Sequence, residues 1–155
     1  MNPLQFLKDN SSTIINEATE IVTSLKLKGY TRVGKERTKQ KLEELLKKIM
    51  TCIKKRSLMP IISYTDKIAK ERFNSGYDLY EVQSAINSLE LIIWNKIFQQ
   101  VPPENLAQVL GTISTVIGAG KDNLARMYVS LATNTKKPTL NLTSLFEGSE
   151  SIVNL

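Results

Sequence analysis

Apolar residues recur at the spacing of an α-helix along almost the whole chain, and this periodicity most constrains its fold. In the longest run, steps of four and three alternate for more than three heptads, at Leu106, Leu110, Ile113, Ile117, Gly120, Leu124, Met127 and Leu131. Such a seam is typical of helical bundles and coiled coils. No segment shows the alternating pattern of a half-buried strand. We therefore predict an all-α fold, an antiparallel helical bundle of five to six helices.

Breaks in the periodicity predict where the helices begin and end. Residues 3–26 indicate two short helices or one kinked helix, because the short polar side chains of residues 10–12 favour caps. Residues 28–34 contain two glycines and are predicted to form a loop. Further helices are predicted at about 35–56, from Pro60 to a cap at Gly76, and at about 79–101 and 103–133. We predict a helical sensor or docking domain at 1–133 and a flexible or peripherally docked tail at 134–155.

The clearest local signal in the sequence is a helix N-terminus at residues 77–82. Asp78 is predicted to cap the following helix, with Glu81 completing a capping box. Tyr77 and Val82 flank the box at the positions of a hydrophobic staple. The helix that follows has a wide apolar side, which includes Phe98, and it is therefore predicted to be the central helix.

The residue types that are missing exclude several kinds of function. The chain has no histidine and a single cysteine, Cys52. A Ser-His or Cys-His catalytic arrangement, a haem held by histidine, a cysteine zinc site and an internal disulfide therefore cannot form. Cys52 flanks the apolar stripe of its helix and is expected to be an inert buried thiol. We predict a protein that is not an enzyme and that binds neither metal nor cofactor.

The distribution of apolar residues predicts neither a membrane-spanning helix nor a secretory signal. No apolar run reaches the roughly 18 residues that a membrane helix needs. The N-terminus has no basic region followed by an apolar stretch, which a secretory signal would require. We expect a cytoplasmic protein without a membrane span.

Positive charge is concentrated in one segment. The chain has a net charge of +6, and residues 26–56 carry twelve lysines or arginines against three glutamates. Such a surface suits an acidic partner protein, an anionic membrane face or nucleic acid. Nucleic acid is the less favoured alternative, because Tyr30 is the one aromatic residue available for stacking. The predicted partner-binding basic face comprises Lys39, Lys47, Lys48, Lys54, Lys55 and Arg56.

A second candidate site lies on the last two long helices. Glu90 sits among apolar residues, and if buried it would need a partner, most commonly a lysine or arginine of a neighbouring helix. The last helix also carries small residues, which let a ligand or another backbone approach. The stretch from Gly118 to Lys121 lacks phosphate-loop spacing, so close helix packing is the favoured role. The predicted ligand or helix-contact residues are Glu90, Trp94, Gly111, Ser114, Gly118 and Tyr128.

Residues 64–94, YTDKIAKERFNSGYDLYEVQSAINSLELIIW, resemble the N-terminal domain of the RsbR-type co-antagonists of bacterial stress signalling. The family pattern falls at Ala69, Arg72, Gly76, the pair 81–82 and Trp94. The resemblance extends over about residues 4–132. It implies an all-α sensor or input domain, related in some members to a non-haem globin shape, with a homodimeric state and a partner protein in signal transduction. The family offers no motif-defined catalytic residues to carry over.

Overall fold

The chain forms six helices within residues 1–134, the part that this computed structural model describes. They are α1 (Pro3–Ser24), α2 (Lys28–Val33), α3 (Lys35–Lys55), α4 (Met59–Asn74), α5 (Leu79–Gln100) and α6 (Pro103–Thr133). The predicted all-α bundle is confirmed. Of the predicted tail at 134–155, Asn134 is the C-cap of α6, and residues 135–155 lie outside the described residues. No helix among residues 1–134 is long and apolar enough to cross a membrane.

The first helix is uninterrupted, so the alternative of two short helices is wrong. The polar side chains at its centre bond to carbonyls of the same helix instead of capping a break. Asn10 Nδ2 donates to the Phe6 carbonyl at 2.9 Å, and Ser11 Oγ donates to the Lys8 carbonyl at 3.3 Å. These bonds compete with capping and leave the helical backbone intact.

The predicted loop at 28–34 is also wrong, because Lys28–Val33 is a short helix. It ends at Gly34, whose φ of 91° is readily adopted only by glycine. Six residues do not form a stable helix by themselves, because nucleation is unfavourable. The stabilising contacts come from distant parts of the chain: the Gly29 N–H donates to Glu81 at 2.6 Å, and Tyr77 Oη donates to the Gly29 carbonyl at 3.2 Å.

The helix ends around α4 and α5 follow the predicted signals. At the end of α4, Gly76 has a φ of 84°. Its N–H donates to the Phe73 carbonyl, and the Tyr77 N–H donates to the Arg72 carbonyl, at 3.2 and 2.9 Å. This pair of bonds is a Schellman motif. The capping box of Asp78 and Glu81 is present at the start of α5.

The core lies between α5 and α6 and the helices that pack on them. The middle of the predicted seam on α6 is buried, at Ile113, Ile117, Gly120 and Leu124. Helix α4 approaches α6 closely because Gly120 has no side chain: a Cβ there would lie 2.9 Å from Ile61 Cγ1. Helix α5 packs mainly against α1 and α6 and leaves large apolar residues exposed, so the prediction that α5 is central is wrong. Helix α6 is more central, because it packs against α1, α3, α4 and α5.

Candidate functional site

Large apolar side chains are exposed along one side of α5. Leu91, Trp94 and Phe98 lie on successive turns and are 51%, 40% and 60% exposed. Phe98 was predicted to belong to the apolar side of α5, but the inward positions nearby are occupied by Ile93 and Ile97. Trp94 accordingly lies on the surface and does not line an enclosed pocket. We call this surface the α5 strip, comprising Asn87, Leu91, Trp94, Asn95, Phe98 and Gln99.

The α5 strip carries no charged side chain. Glu90, which lies beside it, is half-buried and pairs with Lys121 of α6, with Nζ and Oε1 3.0 Å apart. Lys121 is thus a basic partner of the kind that the sequence predicted for Glu90. Lys121 also donates to Asn87 Oδ1 at 3.2 Å. The neighbouring charge is therefore neutralised within the chain, and the strip presents an apolar and amide surface to solvent.

The small residues of α6 lie partly open. Gly111, Ser114 and Gly118 are half-buried, and a Cβ at Gly118 would meet nothing within 4 Å. The close helix packing expected of this stretch belongs to Gly120 instead, since Gly120 and not Gly118 faces α4. Because Glu90 and Lys121 are in contact across the α5–α6 hairpin, Gly118 lies at about the level of Trp94, one turn along each helix.

The predicted basic face is spread along α3. Lys47, Lys54, Lys55 and Arg56 are exposed, whereas Lys39 and Lys48 are half-buried. Lys39 and Lys47 line an open groove of about 710 Å³ between α1 and α3, together with Glu43 and Glu44. The two carboxylates make this groove one of mixed charge, which does not suit a continuous phosphate backbone.

The last candidate residue, Tyr128, belongs to a buried cluster that the sequence did not reveal. The chain has five tyrosines, and the four buried ones gather around the buried side chain of Arg72. We call Tyr30, Tyr64, Arg72, Tyr77 and Tyr128 the tyrosine–arginine cluster. Tyr128 Oη donates to the Tyr77 carbonyl at 3.0 Å, and burial raises the pKa of Tyr128 to about 12.

Cys52 is fully buried, as predicted. Its sulfur accepts a hydrogen bond from the Ile61 N–H at 3.3 Å, and burial raises the pKa of the thiol to about 11. Because the thiolate is the reactive form, we expect a disulfide reagent at pH 8 to modify Cys52 at least 100-fold more slowly in the folded protein than in denatured chain. Absorbance of the released thiol measures this, and similar rates in the two states would contradict it.

No group of three cysteine, aspartate or glutamate side chains within residues 1–134 is arranged to hold a metal ion. Comparison of the chain with protein-family models, curated proteins and solved structures found no match. The RsbR-type resemblance, and the globin-like shape that it implies, therefore stay predictions. Within residues 1–134, the structure shows a helical bundle that carries an uncharged apolar surface on α5 and the buried tyrosine–arginine cluster.

Proposed function

We propose that this chain is a regulatory helical domain that acts by docking, and that two copies associate through the α5 strip. The observation that carries this proposal is the exposure of Leu91, Trp94 and Phe98 on successive turns of a strip without charge. Clustered apolar residues on a surface mark interaction sites, and aromatic residues are enriched in them. The resemblance adds the proposal that the dimer serves signal transduction in the cytoplasm.

Charge favours a second copy as the occupant. Two copies that each carry a net charge of +6 repel one another. The repulsion is smallest where the two facing surfaces carry no charge, and the α5 strip is such a surface. A strip with residues at 87, 91, 94 and 98 also has the steps of four and three that let one helix pack against its own copy.

The area available is consistent with a dimer. Large apolar side chains contribute about 150–250 Å² each when fully buried, so the exposed parts of three amount to roughly 300 Å² per copy and about 600 Å² for two. A stable interface buries about 1,600 Å² in total. The apolar side chains therefore account for less than half of a standard interface, and the proposed dimer requires the exposed amide side chains of the strip and the adjoining surface of α6 to contribute the rest.

The test is the mass of the protein in solution. Light scattering after size exclusion should give twice the chain mass of 17.4 kDa. Trp94→Glu and Phe98→Glu each place a carboxylate in the centre of the interface, and we expect each to weaken the dimer by about 30-fold or more. Met59→Glu is the control, because Met59 is exposed at the start of α4, a helix that packs against α3 and α6.

A wild-type protein that stays monomeric at high concentration would contradict the proposal. Equal weakening by Met59→Glu would also contradict it, because a general charge effect would then explain the result.

Nucleic-acid binding through the α3 basic face is the weaker alternative. It predicts duplex affinity with a steep salt dependence, whereas the mixed charge of the α1–α3 groove predicts little affinity.

A further inference from the structure

Arg72 is a buried cation without a matching anion. Its side chain is on the last turns of α4, and the residue is only 6% exposed. None of the carboxylates within residues 1–134 forms an ion pair with it, and its Nε has no hydrogen-bond partner. A buried charge is costly unless it is paired and hydrogen-bonded, so this guanidinium stands out from every other charged group described.

Two tyrosine hydroxyls around Arg72 have no acceptor for their O–H groups. Tyr30 Oη is buried and has no hydrogen-bond partner, and the buried Tyr64 Oη has at most the Arg72 guanidinium, which can donate to it but cannot accept from it. The Tyr30 ring centroid lies 6.0 Å from Arg72 Cζ, and Tyr64 is close enough that it and Arg72 shift each other's pKa. Tyr77 and Tyr128 differ, because both of their hydroxyls donate to backbone carbonyls. The partnerless polar atoms of the cluster are thus the ones that surround the guanidinium.

Arg72 carries a positive charge at neutral pH, and no carboxylate among residues 1–134 forms an ion pair with it. Burial alone would lower the pKa of Arg72, but the neighbouring tyrosines, including a hydrogen bond to Tyr64, outweigh it and leave the pKa raised. Burial, followed by the charge of Arg72, lowers the pKa of Lys41 on α3. Glu71 and Glu44 act on Lys41 in the opposite direction. Arg72 and Lys41 are therefore close enough to influence one another, and Glu71 and Glu44 lie near enough to Lys41 to offset part of this effect.

We propose that the tyrosine–arginine cluster is a binding site for a small oxyanion, the carboxylate or phosphate group of a metabolite. The Nε edge of a guanidinium and an adjacent Nη match two oxygens of such a group, and the hydroxyls of Tyr30 and Tyr64 donate to it as well. A buried water could accept some of these bonds, but it would leave the positive charge of Arg72 without a counter-charge. The site is separate from the α5 strip, and each proposal can fail without the other.

The experiment compares thermal unfolding in phosphate, acetate and chloride at matched ionic strength, with phosphate affinity measured by calorimetry. We expect phosphate or acetate to raise the Tm saturably over chloride. Tyr64→Phe and Tyr30→Phe each remove one donor to a charged ligand, and we expect each to weaken that affinity about tenfold or more. Tyr80→Phe is the matched control, because Tyr80 is exposed and outside the cluster; it should bind like the wild type.

The chloride arm separates the proposal from a structural water. A hydroxyl without a partner contributes no hydrogen bond, so Tyr30→Phe should not lower the Tm in chloride. An equal loss of Tm in all three salts would show a water-bonded hydroxyl and overturn the proposal.

A separate pair of variants tests the guanidinium. Arg72→Gln should abolish the rise of Tm in phosphate, whereas Lys70→Gln, a change to a neighbouring residue of α4, should retain it. The same phosphate response in the two variants would also overturn the proposal. Should Arg72→Gln fail to fold, the two tyrosine variants still decide.

Discussion

Replacing Gly29 with alanine is expected to lower the free energy of unfolding by about 2–3 kcal/mol, the upper range for overpacking a well-packed site. A Cβ at Gly29 would lie 2.4, 2.6 and 2.8 Å from three carbons of the Tyr77 ring. The ring cannot easily move away, because Tyr77 Oη donates to the Gly29 carbonyl and the ring packs edge-on against Tyr30, with centroids 5.1 Å apart. The added methyl group therefore separates α2 from the turn before α5.

Urea unfolding followed by circular dichroism measures this change. The matched control is Gly118→Ala, since Gly118 also lies within a helix but has open space where a Cβ would be. Alanine there should stabilise the protein by about 0.5–1 kcal/mol, because glycine is a poor helix former. If both variants shifted stability in the same direction, helix propensity and not the contact with Tyr77 would control the outcome.

Replacing Glu81 with alanine is expected to cost about 3 kcal/mol. The Glu81 carboxylate is buried and accepts two backbone hydrogen bonds, from the Gly29 N–H at 2.6 Å and from the Asp78 N–H at 3.0 Å. Hydrogen bonds to a charged group contribute about 1.5–3 kcal/mol each, and removing the carboxylate leaves a buried donor without a partner. The loss therefore exceeds that of an ordinary helix cap, which is about 1 kcal/mol.

Two further variants make this measurement specific. Glu81→Gln should recover only part of the stability, because an amide has one acceptor oxygen and its NH₂ would face the second N–H donor. Glu104→Ala is the control, since Glu104 also lies in the first turn of a helix but is exposed. Its loss should stay within about 1 kcal/mol, the range of a helix-dipole contribution. Equal losses of stability in Glu81→Ala and Glu104→Ala would contradict the explanation by buried hydrogen bonds to Glu81.

Features of the fold that depend on local sequence could be predicted. The apolar periodicity of α3, α5 and α6 placed their bounds close to those observed, and the capping box needed only residues 78–81. Helix α2 could not be predicted in this way, because the groups that stabilise it, Glu81 and Tyr77, lie about fifty residues away in the sequence.

The candidate sites were predictable only in part. The sequence predicted that Glu90 pairs with a lysine or arginine of a neighbouring helix, and the structure identifies this partner as Lys121. Helix α5 has apolar residues around much of its circumference, and spacing alone does not tell which of them face inward. Small residues such as Ala85 and Ser88 are buried where other helices approach, whereas Trp94 and Phe98 are not. The tyrosine–arginine cluster was missed because α2, α4, α6 and the turn at Tyr77 all contribute to it.

The dependence of α2 on two side chains bears on how quickly the interior can exchange molecules with solvent. Tyr30, which covers one side of Arg72, is carried by α2, and α2 is held to α5 through Gly29. Breaking the bonds at Gly29 would release Tyr30 without unfolding the four long helices or α4. Entry and departure of any molecule at the guanidinium would then follow the lifetime of a local opening, far shorter than that of the native state as a whole.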